Sequence, residues 1–280
     1  MKNLSMFCLS LYPKHLNNLK IINYIPVGLG VNDFSNSWLR DNTKKNISNK
    51  NRYYGEYTFH YWFWKNMIDN MPDDNWIGFC AYRRYWANTN HLRSDELSKI
   101  INNRNFKNHV LQEIKKDWFN YETVLVEKIP FGKIKFSKII KNGGIQSILK
   151  NFRSFIKSET TIKFHFDIFH GNGKINKAID LLEKKERDDF RIFINNQSFN
   201  KENMFICRSK KIIKEYYKSV FAWLQKCEDV FGFNLKAWHE VRIYAFLAER
   251  YLSYWFNKYT TVKEWPIFFY DTNKNKLKLY

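Results

Sequence analysis

Proline and glycine are scarce in this chain: five and ten among 280 residues. That excludes a collagen-like repeat and argues against a long disordered tail. Cysteine is equally thin. Cys8, Cys80, Cys207 and Cys227 stand far apart without a C-x-x-C pair, so neither a zinc site nor a dithiol redox motif is expected. Cys8, Cys80 and Cys207 lie in apolar strand-like runs, where a thiol serves as a small hydrophobe; a reducing, cytoplasmic compartment fits that use. There is no run of about 18 apolar residues, so no membrane-spanning helix is expected. After the first short apolar run comes Tyr12-Pro13-Lys14-His15 in place of a small-residue cleavage site, so no signal peptide is expected. The chain shows no internal repeat, no obvious linker and no Asp-x-Asp; Asp73-Asp74 and Asp188-Asp189 are adjacent pairs.

What is present is apolar, aromatic and basic. Hydrophobic residues make up 44% of the chain and aromatics 19%, enough for one substantial core, so a single domain over residues 1–280 is expected. Lys and Arg total 47 against 27 acidic residues, a formal charge of +20. Such a field attracts nucleic acid, anionic lipid or phosphorylated substrates. Richness in Lys, Asn, Ile, Phe and Tyr, as a biased genome produces, would account for the same charge without a binding role.

The pattern alternates strands and helices. Leu4–Leu11 and Tyr24–Gly30 read as strands, Val31–Asn51 as a polar loop. Phe59, Trp62, Phe63 and Met67 recur at helical spacing in a segment beginning near Arg52 and ending at Met71-Pro72-Asp73. Trp76–Tyr82 and Tyr121–Glu127 read as strands, with a short helix at Ser94–Asn102 between them. Residues 128–163 show no period and much positive charge, as a loop or insertion would. Asn176–Glu186 reads as a charged helix, Asn203–Arg208 as a strand, and Ser209 as the cap of a helix ending at Gly232. A last helix is expected from Trp238 to Phe256 and a strand from Trp265 to Phe269. This order predicts an α/β sheet with a helical C-terminal portion.

Charge arrives abruptly at the end of the third strand, in Tyr82-Arg83-Arg84-Tyr85. Ligands of open α/β sheets sit outside the carboxyl ends of the strands. Adjacent guanidiniums there suit an anionic ligand such as a diphosphate, since each offers a fixed fork of donors. Side chains alternate along extended backbone, so the two are expected to point opposite ways, one to phosphate and one to structure. Lys50, Asn51 and Arg52 stand at a helix start, which favours anions and equally suits a solvated capping loop. Trp62 and Trp64 read as core, Tyr82 and Tyr85 as rings for stacking on base or sugar.

Two runs carry a resemblance: Asn46-Ile47-Ser48, Lys50-Asn51, Tyr54, Glu56, Thr58 and Tyr61-Trp62-Phe63-Trp64-Lys65-Asn66, then Ile77 through Trp86. A second block agrees, with Asn203-Met204-Phe205-Ile206, Trp223-Leu224, Arg242 and Ala248-Glu249-Arg250. The pattern resembles a family of bacterial glycosyltransferases of capsule and exopolysaccharide synthesis, long described as a domain of unknown function. It departs at Ser10–His15, where the family often has Thr-His-Lys, and across Lys128–Lys163.

The resemblance implies a GT-A-like Rossmann-type sandwich, with residues 1–92 as the nucleotide-sugar half and 93–280 as the acceptor half. It implies a donor that is UDP-linked and galactose-type, held by Lys50, Asn51, Tyr54, Glu56, Tyr82, Arg83, Arg84 and Tyr85. Asn203 and Met204 would contact a polyprenyl-linked or growing polysaccharide acceptor at the anionic inner-membrane surface, where the protein would dock peripherally. Glycosyltransferases of this type hold Mn or Mg on an Asp-x-Asp; here arginine is expected to replace the metal wholly or partly. Glu249 reads as a general base or as an ion-pair partner of Arg250. Arg242, seven residues away, is too distant to pair with it on a helix. His239-Glu240 and His170 are rival bases or structural groups, and Glu56 is a cap or a donor contact. Two other functions compete: a basic, aromatic-rich nucleic-acid binder, against which no nucleic-acid motif appears, and a non-catalytic scaffold of the same fold.

Overall fold

In the first strand, Met6 and Cys8 pack into one hydrophobic core and Phe7 and Leu9 into another. The fourth repeats this, with Trp76 and Cys80 on one side, Ile77 and Phe79 on the other. Two-residue alternation between two buried faces is the signature of a sheet covered on both sides. The structure, a computed structural model, describes residues 4–89, 91–92, 94–102, 105–132, 160–235 and 238–271.

Strands β1 (Leu4–Ser10), β2 (Ile25–Gly28), β3 (Leu39–Arg40) and β4 (Trp76–Ala81) run parallel in the order β4-β1-β2-β3. Short β5 (Arg84–Trp86) turns back antiparallel from β4. The sheet continues through β9 (Phe205–Cys207), antiparallel to both β4 and β6 (Thr123–Val126), to β10 (Val262–Trp265); β11 (Ile267–Phe269) pairs with β5. β7 (Ile129–Pro130) and β8 (Ser198–Phe199) form a separate ribbon. The helices are α1 (Leu16–Ile21), α2 (Asn51–Tyr54), α3 (Tyr57–Asn66), α4 (Ser94–Ile100), α5 (Phe106–His109), α6 (Ile162–His170), α7 (Lys174–Ile179), α8 (Lys184–Phe193), α9 (Lys210–Phe231), α10 (Trp238–Val241) and α11 (Ile243–Tyr259).

Several expectations are corrected. The loop at 31–51 contains edge strand β3, too short to show a period. The helix read from Arg52 breaks at Gly55, between α2 and α3. The charged helix of 176–186 is two, because α7 ends at Ile179 and α8 starts at Lys184. The last helix is likewise divided at Arg242. Pro266 separates two terminal strands where one was read. Most of the unpatterned segment 128–163 lies outside the described residues. Ser209 does cap α9, its Oγ accepting from the Ile212 amide, and Gly232 ends it at φ +58°. The cysteines are free and buried. Among the described residues, no helix is long and apolar enough to cross a membrane.

Candidate active site

Parallel strands end together, and β1 and β4 end at Ser10 and Ala81, one register step apart. Beyond these ends lies a cleft of about 240 Å³, lined by Leu9–Leu11, Ala81–Arg84, Asn51, Arg52, Gly55, Glu56 and Arg242. Four arginines thus line it, against the single acidic residue Glu56. A larger, shallower hollow of about 810 Å³ opens beside Arg208 and Ser209, at the amino end of β4. Its acids and bases are mixed (Glu122, Glu186, Glu215 with Arg208 and Lys211), so it offers no converging charge.

The cleft's cations come from three places. Arg83 sits in the turn after β4. Its guanidinium carbon lies 4.8 Å from the Tyr82 ring centre, Nη1 is 3.9 Å from Asp271, and Nε is buried without a hydrogen-bond partner. Arg84 opens β5, with Nε 2.8 Å from Glu202 Oε1. Arg242 stands at the α10–α11 break and meets Glu56 Oε2 at 3.2 Å. Both arginines of the pair line the cleft, Arg83 from the two-residue reversal and Arg84 from the start of β5, where it pairs with Glu202.

One wall is aromatic. His15 stacks on Tyr82 at 4.8 Å, and Tyr12 meets both rings edge-on. Ser10 Oγ lies 2.8 Å from His15 Nδ1. Burial, then the Lys14 charge, lowers the His15 pKa to about 4, so the ring is neutral at pH 7. His15 was missed because it falls where the family pattern breaks; the Pro13 that starts its 3-10 turn was the available signal.

Behind the cleft, the turn between β8 and β9 presents Glu202, also missed. Its backbone is left-handed, φ +71°. Burial pushes its carboxyl up to about 7 against the lowering pull of Arg84, and Glu249 and Glu56 add to the rise. Glu249 Oε1 accepts from the Glu202 amide at 2.7 Å, and its other oxygen pairs with the buried Arg250.

Other residues chosen from sequence stand elsewhere. Tyr85 is fully buried against Phe106 and Phe268, its hydroxyl donating to the Tyr82 carbonyl at 2.6 Å; the reversal at β5 turns it into the core. Tyr54 is buried and donates to Glu228 at 2.7 Å, and Lys50 also binds Glu228, at 2.7 Å. Met204 packs in the core beneath the sheet. Asn203 Oδ1 is buried without a hydrogen-bond partner. His170 is buried, its ring stacked 3.8 Å from Phe246 and its Nε2 3.4 Å from Arg250. Glu240 pairs with Lys174 at 2.9 Å. Glu249 is spent on Arg250 and the Glu202 turn. As expected, it does not reach Arg242.

The end of β4 carries hydrogen-bond donors where a divalent ion needs oxygen donors. Among the described residues, no group of three His, Cys, Asp or Glu could hold a metal. The residues present do not fit a metal at this end of the sheet.

The family model described as Domain of unknown function (DUF4422) matches residues 10–260. An apo structure of the bifunctional glycosyltransferase WbbM superposes with a TM-score of 0.67 at 19% identity, over 97% of this chain and 46% of that one. The chain therefore spans about half the length of that protein, and the likeness establishes a glycosyltransferase-type Rossmann-like α/β fold. No curated protein matches the sequence significantly.

Proposed function

We infer that this chain, which belongs to the DUF4422 family, is a glycosyltransferase that moves a sugar from a nucleotide-sugar onto a glycan. The observation that carries this is the cleft itself: four arginines converge on the carboxyl ends of β1 and β4, where open α/β sheets bind nucleotides. As the glycosidic bond to the donor breaks, negative charge grows on the departing diphosphate. Preset guanidiniums favour that charge over the ground state. Arg83, with an unpartnered buried Nε, and Arg84 are best placed for it; Arg52 and Arg242 also line the cleft. The Tyr12–His15–Tyr82 wall supports a stacked base beside the phosphates, and neutral His15 adds no charge there.

A UDP-linked, galactose-type donor and a polyprenyl-linked or growing surface-polysaccharide acceptor complete the reading. The charge of +20 supports docking on an anionic membrane. The test is a thermal-shift screen against UDP, GDP, CDP and dTDP, with and without manganese. One nucleotide is expected to raise the melting temperature by about 4 °C or more. No shift with any of them would end this reading. Salt-sensitive binding to anionic vesicles, with none to neutral ones, tests the membrane part.

A further inference from the structure

Glu202 belongs to a turn that the fold holds tightly. Asn200 Nδ2 donates to the Val126 carbonyl at 2.7 Å, and the Asn200 amide donates to Ser253 Oγ at 3.0 Å. Two residues later the backbone enters the left-handed region, which a side chain with a Cβ adopts only when its surroundings impose it. Glu249 supplies the imposition by accepting the Glu202 amide. The result is a carboxylate delivered onto Arg84, one of the cleft cations. The charged groups that face it are Arg84 from β5, Glu56 at the head of α3, Glu249 and Arg250 from α11, and its neighbour Lys201. Glu202 is half-buried; partial burial and two other carboxylates disfavour its charge, and Arg84 is the cation in contact with it.

We propose, resting on the glycosyltransferase reading, that Glu202 is the positioning residue of the donor arginine: it aims Arg84 into the cleft of the unliganded protein and yields it to an incoming diphosphate by taking a proton from solvent. The diphosphate competes for the guanidinium and adds negative charge beside three carboxylates. The proton lands on a Glu202 oxygen, and no other bond changes. Burial already brings this carboxyl up to about 7, so protonation near neutral pH is an accessible response. The bound state then holds more protons than the free state, and affinity must fall as pH rises. The ligand's own phosphate titration works the other way, because a fully ionised phosphate binds guanidinium better.

The experiment is a calorimetric titration of the chain with whichever of UDP, GDP, CDP and dTDP shifts its melting most. It is run between about pH 7 and 8.5, in two buffers of different ionisation enthalpy. The wild type is expected to lose up to about tenfold in affinity per pH unit and to take up close to one proton. Glu202→Gln is expected to show neither effect. Glu202→Gly, whose backbone accepts the positive φ, provides the same test if the glutamine variant folds poorly. Nucleotide binding whose affinity is flat or rises with pH overturns this proposal and leaves the glycosyltransferase reading standing. A fall with pH that persists in both variants also overturns it. Absence of any nucleotide binding removes both.

Discussion

The Arg242 guanidinium lies against the backbone of Gly55, so close that a Cβ there would stand 2.3 Å from Nη2. Gly55 interrupts α2 and α3 at φ +54°, and Asn51 spans the break by donating to the Gly55 carbonyl and Thr58 Oγ1, both at 3.0 Å. A glycine here therefore serves two ends: it permits the turn, and it leaves room for a cation that arrives from 187 positions later.

Gly55→Ala is accordingly expected to destabilise the protein by about 1–2 kcal/mol through the positive φ. It should also displace the flexible end of Arg242 and weaken nucleotide binding. Thermal unfolding and nucleotide titration of the same variant separate the two effects. Unchanged affinity would show that Arg242 is not a donor contact.

Arg83→Ala and Arg84→Ala are each expected to reduce nucleoside diphosphate affinity about tenfold to a hundredfold, the value of a charge-assisted hydrogen bond. Arg83 is the more exposed of the two, so its loss should change the melting temperature little, whereas Arg84→Ala should lower it more by leaving Glu202 without its cation. Lysine at either position should rescue only in part, because it replaces a fork of donors by a point charge. Transfer activity retained in the double variant would sink the arginine mechanism.

Lys50 is expected to matter for stability and not for the donor. Its partner Glu228 is buried and also accepts from Tyr54. Lys50→Ala leaves that carboxylate without its cation, at a cost of about 2–3 kcal/mol given the partial exposure of the lysine. Nucleotide affinity should stay within about twofold of wild type. Chemical denaturation and titration check the pair of outcomes.

Comparing Glu202→Gly with Glu202→Ala isolates backbone strain, since both variants lack the carboxylate. The glycine variant is expected to be more stable by about 1 kcal/mol. Equal stabilities would mean that the left-handed turn carries no strain.

Three histidines, His15 and His60 buried and His165 half-buried, set an acid limit. Burial lowers His15 to about 4, His60 to about 3 and His165 to about 2. Each is neutral in the folded chain, whereas the unfolded chain takes up protons below about 6.5. The contribution to stability is therefore complete above about pH 6.5 and is lost as pH falls toward the folded values. Denaturation series between about pH 7 and 4 should show this loss. His60→Phe, which sits among Phe79, Phe205 and Tyr217, should make the curve shallower. An unchanged slope would count against a neutral His60.

Some of this was legible in the chain. Ile212, Ile213, Tyr216, Val220, Trp223, Leu224 and Cys227 recur at helical spacing; all but the half-buried Ile212 are buried along α9. The apolar run from Trp76 reads as a buried strand and forms β4. The arginine pair was visible as charge at a strand end, and it does line the cleft. Less legible were the breaks. Nothing local marks Arg242 as the junction of two helices, and a three-residue strand such as β5 has no period to read.

Local pattern alone determined the layered α/β class, the core stripes and the arginine-bearing end of β4, because burial imposes a period on neighbouring residues. Tertiary structure decided which charges meet. Glu56 with Arg242, Lys50 with Glu228, and Arg84 with Glu202 are pairs formed by segments more than 100 residues apart. Each of these side chains reads alone as an ordinary surface charge. Its partner is set by how strands and helices stack, which sequence spacing does not encode.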